Sequence, residues 1–272
     1  MRVLISFVIF NILSVVLAGS PYEHDKWGTQ PRDLFFEFEA YVVSFDSADD
    51  DNGDGKPDRW GIPEFVAYEI KRKDKKHSLE RRPKWTTNKK LYKAGLAPND
   101  KTYAVSGTNK LKEVKTDFRF VRGHMCPKST AERISVKAAI ETHTMLNACP
   151  QLQSQNNGIW KDLEKKCNDL ADKHGRIWIV TGPVFFNKSP AMWLGQNGEK
   201  QAAIPDAFFK IIIQQTDSKV THQAYLIPNI LVKPKPLKSY KTTIPRIESL
   251  TNLKFLTNLP KPKSSLMNCH CY

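Results

Sequence analysis

The chain has 272 residues with 42 Lys and Arg against 28 Asp and Glu, a formal net charge of +14 and a sequence pI of about 9.5. This length allows one large domain with a sizeable core, and neither a linker nor an internal repeat favours two domains. Beyond the N-terminus, no segment is long and apolar enough to cross a bilayer, which excludes a multi-span membrane protein.

The first 18 residues, MRVLISFVIFNILSVVLA, have the features of a secretory signal peptide. Arg2 supplies a positive start, residues 3–17 form an apolar run, and the run ends in small residues up to Ala18. We therefore expect a secreted protein, extracellular or periplasmic in a bacterium, with no membrane contact in the mature form. The mature part, residues 19–272, is predicted to be a single domain; an uncleaved anchor is the alternative.

The charge is distributed unevenly along the mature chain. Without Arg2 the net charge is +13, residues 19–64 hold 12 acidic and 4 basic residues (4 − 12 = −8), and the rest therefore carries +13 + 8 = +21. Residues 71–82, KRKDKKHSLERR, contain seven basic and two acidic side chains, and the C-terminal segment is rich in Pro and Lys. Such a field predicts a polyanionic partner such as nucleic acid, although a merely solvated face is the alternative.

Taken in chain order, the pattern of apolar residues predicts a mixed α+β protein. The clearest helix begins near Ile159, and Gly175 ends it. A last helix is expected at residues 244–256. Strands are expected at residues 34–45, 65–73, 116–124, 142–148, 176–186 and 207–215.

An acidic loop at residues 49–58, DDDNGDGKPD, resembles an EF-hand loop. Four oxygen-bearing side chains stand at ligand positions: Asp50, Asn52, Asp54 and Asp58. Gly61 occupies the twelfth position, where a bidentate Glu is usual. A structural Ca²⁺ is one interpretation, and a solvated acidic turn is the other.

The five cysteines are Cys126, Cys149, Cys167, Cys269 and Cys271. Export would favour disulfides, but an odd number leaves one thiol over. Cys126 and Cys149 each precede a proline beside a predicted strand, and we expect them to form a disulfide with each other.

Residues 118–174 hold a concentrated set of polar side chains. Arg122 and His124 share one face of an extended segment, and Gly123 between them permits close approach of a ligand or a backbone. Asn147 ends the next strand, while Asn156 begins the helix and Glu164 follows two turns later. Cationic neighbours disfavour imidazolium, so His124 is expected to be neutral and able to accept a proton.

The ordered set RGHM followed by LNACPQLQSQNNGIWKDLE resembles the DNA/RNA non-specific endonucleases, the endonuclease G-like ββα-metal nucleases. The resemblance extends from about residue 65 to residue 227. It implies a ββα-metal nuclease fold with a central, mostly antiparallel sheet flanked by helices. Val121 departs from the pattern, because the family usually has Asp before Arg-Gly-His.

The resemblance also implies a role for each polar residue. His124 would be the general base, Asn147 would steady the site, and Glu164 would orient a metal-bound water. Asn156 would hold one hydrated Mg²⁺ or Mn²⁺, an ion that needs few protein ligands. The residues implied to bind phosphate are Arg122 and Arg82, with Arg81 as the rival of Arg82 and Lys165 as a further contact.

The implied function is metal-dependent hydrolysis of phosphodiester bonds in DNA and RNA, without preference for the sugar. Binding would depend on contacts to the phosphate backbone and would weaken with salt. The alternative is a catalytically silent protein that keeps the scaffold and binds nucleic acid or another polyanion.

Overall fold

The computed structural model describes residues 21–47, 50, 58–106, 120–195, 198–217, 219–231, 233 and 235–259. Three sequence predictions lie wholly or partly outside these residues: the signal peptide, the cysteines at 269 and 271, and the calcium loop. Of that loop, Asn52 and Asp54 lie outside, whereas Asp50 is exposed and Asp58 is buried.

The strands are β1 (Thr29–Gln30), β2 (Leu34–Glu37), β3 (Val42–Phe45), β4 (Pro63–Lys71), β5 (Phe120–His124), β6 (Ala148–Leu152), β7 (Arg176–Val184), β8 (Met192–Leu194), β9 (Ala202–Ile204), β10 (Ala207–Gln215), β11 (Val220–Pro228), β12 (Lys241–Thr242) and β13 (Lys254–Phe255). The α-helices are α1 (Lys89–Lys93), α2 (Asp100–Ser106), α3 (Lys128–Ala131), α4 (Val136–Glu141), α5 (Gln153–Gln155), α6 (Lys161–His174) and α7 (Ile244–Thr251). None of these helices in the described residues is long and apolar enough to span a membrane.

A seven-stranded sheet forms the centre of the molecule, in the order β12-β11-β10-β7-β4-β3-β2. Every neighbouring pair in it is antiparallel. Three two-stranded pairs accompany it: β5 with β6, β8 with β9, and β1 with β13. This architecture confirms the predicted α+β class and the antiparallel central sheet.

The sheet is covered on both faces, which explains why β7 and β10 are apolar along nearly their whole length. Leu163, Cys167 and Ala171 of α6 pack into the hydrophobic cluster on one face. Ile244 and Ile247 of α7 belong to the cluster on the other face. A strand that is buried on both faces does not have to alternate apolar and polar residues.

Three predicted elements differ from the structure. The strand expected at residues 34–45 is a hairpin, because the chain turns at residues 38–41 and Phe38 N donates to Tyr41 O (2.8 Å). The strand expected at 142–148 begins only at Ala148, after a 3₁₀ turn at Met145–Asn147. The last helix ends at Thr251, because Asn252 takes the left-handed conformation (φ 58°).

The predicted disulfide between Cys126 and Cys149 is wrong, since both are free, buried thiols in the structure. Cys126 lies beyond the end of β5, and its Sγ faces the carbonyl oxygen of Ala40 (3.8 Å). Cys149 lies within the β5–β6 ladder, opposite Gly123. The two side chains therefore have different neighbours. Burial also raises the pKa of the Cys126 and Cys149 thiols, which keeps them protonated and unreactive.

We expect these thiols to resist modification in the native protein. Maleimide labelling followed by peptide mass spectrometry should leave Cys126, Cys149 and Cys167 unlabelled until denaturant is added. The same mapping without reductant is the control for a disulfide, and a cross-linked peptide containing Cys126 and Cys149 would contradict the structure.

Candidate active site

The site is built on the β5–β6 hairpin and on α6, which follows it in the chain. In the hairpin Gly123 pairs with Cys149 and His124 pairs with Ala148. A side chain at position 123 would overlap the buried amide of Gln151, so only glycine allows the two strands and Gln151 to pack as they do. Gly123 thereby fixes the strand that presents His124.

Asn147 holds the chain just beyond His124. Its Oδ1 accepts a hydrogen bond from Cys126 N (2.8 Å), and its Nδ2 donates to the carbonyl oxygens of Cys126 (2.9 Å) and Thr142 (3.0 Å). The side chain is fully buried. Because its carboxamide is committed to backbone groups, Asn147 can position His124 but does not face a substrate.

His124 lies among aromatic rings at the end of β5. Its ring centroid is 4.6 Å from that of Trp85 and 4.8 Å from that of His143. Its Nε2 is buried and has no hydrogen-bond partner in the described part of the chain. The pKa of His124 is lowered to about 3, first by burial and in addition by His143, Arg82 and Lys128. The imidazole is therefore neutral, as predicted, but desolvation contributes more than the cationic neighbours.

A cavity of about 310 Å³ opens beside this imidazole. Its lining contains three cations, Arg81, Arg82 and Lys128, together with Leu79, Glu80 and His143. Arg81 and Arg82 are exposed and make neither an ion pair nor a hydrogen bond with the residues that the structure describes. Of the two rival arginines, Arg82 is the one whose charge acts on His124.

His143 and Lys128 are parts of the site that the sequence did not predict. His143 bonds through Nδ1 to Ala139 O (3.3 Å), and Lys128 pairs with the buried Glu132 (2.6 Å). Neither residue belongs to a recognisable sequence motif. His143 lies just before the 3₁₀ turn that precedes β6.

Arg122 does not line this cavity. It makes a 2.5 Å ion pair with Asp100 of α2 and lies 5.9 Å from the ring centre of Trp85 and 5.5 Å from that of Tyr103. Its guanidinium is thus engaged within the protein, in contrast to that of Arg82. Phosphate binding by Arg122 stays a prediction.

Asn156 lies at a kink before α6. Residues Asn156–Trp160 form a π-helical turn that is interrupted at Gly158 (φ −101°, ψ −112°), and such turns are frequent at functional sites. Asn156 is partly exposed. Its Nδ2 donates weakly to Asn157 (3.4 Å), while its Oδ1 accepts no hydrogen bond from the described residues.

A free amide oxygen is a suitable ligand for a hard cation that keeps most of its waters, such as Mg²⁺. Among the described residues no group of three or more His, Cys, Asp or Glu side chains could hold a metal. The amide oxygen of Asn156 could hold one hydrated divalent cation. Lys165 projects from α6 as an exposed side chain.

Glu164 lies two turns after Asn156 and interacts with a buried lysine. Burial raises the pKa of Glu164 to about 7, while Lys210, the Trp160 indole and Lys161 act in the opposite direction. Lys210 is fully buried in β10, where its Nζ donates to Tyr68 Oη (3.1 Å) and lies 4.4 Å from the ring centre of Trp160. The only sign of this interaction in the sequence is a lysine within an otherwise apolar strand.

The hairpin, the kinked helix and the buried histidine together define the ββα-metal nuclease class. Comparison with known proteins agrees: the family model for DNA/RNA non-specific endonucleases matches residues 56–262. The chain belongs to this family.

Individual relatives are more distant. Nuclease 1, mitochondrial, of Schizosaccharomyces pombe is 30% identical over 53% of this chain and 49% of its own length. Human mitochondrial endonuclease G is 29% identical over 55% of this chain and 54% of its own. The chain spans about half the length of the curated relatives it matches. A crystal structure of an EndoG/EndoGI complex superposes with a TM-score of 0.66 at 19% identity, covering 87% of this chain and 91% of that one, which shows the fold alone.

The prediction of a secreted protein is wrong. Nuclease 1, endonuclease G and EXOG are all named as mitochondrial nucleases, and these relatives point away from export. Free thiols at Cys126, Cys149 and Cys167 also give no sign of an oxidising compartment.

The lysine buried below Glu164 leads to a prediction about that carboxyl group. Replacing Lys210 with Met removes the charge that most strongly opposes protonation of Glu164, so the pKa of Glu164 should rise above about 7. Lys161→Met is the matched control, because Lys161 has the smaller influence and should give the smaller rise. Carboxyl ¹³C NMR titration measures both; an equal or larger shift in the Lys161 variant would contradict the assignment.

The buried histidine leads to a second prediction, about stability. The pKa of His124 is about 3 in the folded protein against 6.5 ordinarily, so the unfolded chain binds the proton more readily. Because of His124, the free energy of unfolding therefore decreases as the pH falls below about 6.5, by roughly 1–2 kcal/mol at pH 5. His124→Gln should flatten the pH dependence of unfolding by urea between pH 7 and 5, and the exposed His222→Gln should not. Parallel curves for wild type and His124→Gln would refute the burial argument.

Proposed function

We propose that the protein is a metal-dependent endonuclease that hydrolyses phosphodiester bonds in DNA and RNA, with His124 as the general base. One observation carries the proposal. A neutral imidazole whose buried Nε2 has no hydrogen-bond partner in the described residues lines a cavity whose other charged side chains are mostly cationic. A proton acceptor beside an anion site is the arrangement that water attack on a phosphodiester requires.

His124 would take the proton from the attacking water. With its pKa near 3 the ring is always in the accepting form near neutral pH. Asn147 and Gly123 keep the ring in place from behind, because they fix the strand end and the turn that follows it. The catalytic group is thus held on a rigid strand rather than on a loop.

Arg82 and Arg81 would bind the oxygens of the scissile phosphate. Their guanidinium groups are free for this purpose, and two planar forks suit the charge that spreads over phosphoryl oxygens in the transition state. Neither the cavity lining nor its charges distinguish one sugar from another. Contacts of this kind support cleavage of both DNA and RNA.

A hydrated Mg²⁺ or Mn²⁺ held by the amide oxygen of Asn156 would supply Lewis-acid stabilisation of the leaving oxygen. Glu164 would accept a hydrogen bond from the hydration shell at that position. Lys210 and Trp160, packed against each other below it, would keep this carboxyl group in place.

The activity test uses supercoiled plasmid and a structured RNA, each with Mg²⁺ and with excess chelator. We expect cleavage of both with metal only, loss of at least about 100-fold in His124→Ala, and loss of about 10-fold or more in Arg82→Ala. His222→Ala, an exposed histidine outside the site, is the matched control and should keep wild-type activity.

The same assay distinguishes a nuclease from the catalytically silent alternative. Wild-type protein that binds plasmid but cleaves neither substrate with any divalent ion would replace the nuclease proposal by a nucleic-acid-binding one. Cleavage that persists in chelator would refute the metal at Asn156 while leaving His124 in question.

A further inference from the structure

A second depression, which we call the flanking groove, continues from the catalytic cavity. It has a volume of about 600 Å³ and is lined by the segment from Ser78 to Lys84 together with Val136 and Ile140 of α4. Residues 79–82 line both depressions, so the two are continuous. The size falls within the ~300–1,000 Å³ typical of small-ligand sites.

The floor of the flanking groove is apolar although it faces solvent. Val136 and Ile140 are 46% and 47% exposed and stand one turn apart on α4. The opposite side of the same helix carries Ala138 and Ala139, which are fully buried. Helix α4 is therefore already anchored to the core, and its two large aliphatic side chains leave about half of their surface open to solvent.

The rim of the groove is cationic. Arg81, Arg82 and Lys84 make no ion pair or hydrogen bond with the part of the chain that the structure describes, and Glu80 is the single acidic residue among them. With three cations against one carboxylate, the rim has a net positive charge that attracts a polyanion. It does so directly beside the cavity in which the proposed function places the scissile phosphate.

An apolar floor below a cationic rim matches the two halves of a nucleotide. The flat face of a base can lie on aliphatic side chains, while its phosphate remains on the rim. A base within a duplex keeps its faces stacked on its neighbours, so only an unpaired nucleotide can present a face in this way.

We propose that the flanking groove is a base-binding subsite that holds one unpaired nucleotide next to the scissile phosphodiester. This inference rests on the proposed function for the identity of the polyanion. The subsite gives the enzyme a preference for single-stranded or locally melted nucleic acid, without reading the base, since aliphatic side chains accept any base face.

The test measures binding, so that it does not depend on catalysis. Fluorescence anisotropy in excess chelator compares a short thymidine oligonucleotide with the same strand containing abasic sites. For Val136→Ser/Ile140→Ser we expect about 5- to 10-fold weaker binding of the base-containing strand and no change with the abasic strand. Lys84→Ala should weaken both strands equally, as a phosphate contact does.

The matched control is Met192→Ser/Ile230→Ser, which alters two exposed apolar side chains outside the groove (53% and 52% exposed) and should bind both strands as wild type does. Equal losses on both strands in the Val136/Ile140 variant, or no loss, would overturn the subsite. An acidic peptide that binds the groove and is not displaced by the oligonucleotide would also overturn it. Base-dependent binding without plasmid cleavage would instead refute the nuclease proposal and leave the groove intact.

Discussion

The removal of His124 from water is the constraint on which the rest of the site depends. Cationic neighbours disfavour the charged form of a histidine. Here burial against Trp85 and His143 already excludes that form. In the proposed function, the same arginine charge that helps to lower the pKa of His124 would also attract the phosphate. One distribution of charge would then keep the imidazole unprotonated and draw the substrate to it.

Burial acts on Glu164 in the opposite sense. It lowers the pKa of the imidazole and raises that of the carboxyl group, so both groups are moved toward their neutral forms within one ββα unit. Lys210 limits the rise in the pKa of Glu164. The buried lysine is best understood as an electrostatic counterpart to Glu164, since the hydrogen bond from its Nζ to Tyr68 does not neutralise its charge.

The sequence predicted the parts of the site that are local in the chain. The register of β5 and the helical spacing of α6 follow from periodicity, and the order of His124, Asn147, Asn156 and Glu164 matches the family pattern. Periodicity does not reveal which way a long side chain turns, so the pairing of Arg122 with Asp100 was missed. It also cannot show that Lys210, some 46 residues after Glu164, lies beneath that carboxyl group.

The segment between His77 and Thr86 links the catalytic cavity to the flanking groove, and it is fixed at both ends. His77 N donates to Glu132 O (2.7 Å), while Thr86 N donates to His143 O (2.8 Å). Both partners belong to the chain between β5 and β6, so the segment is anchored to the same unit that presents His124. Under the proposed function, the arginines of this anchored segment would contact the substrate strand. A change in the composition of the segment would then alter substrate preference without any change in His124 or in the helix that follows β6.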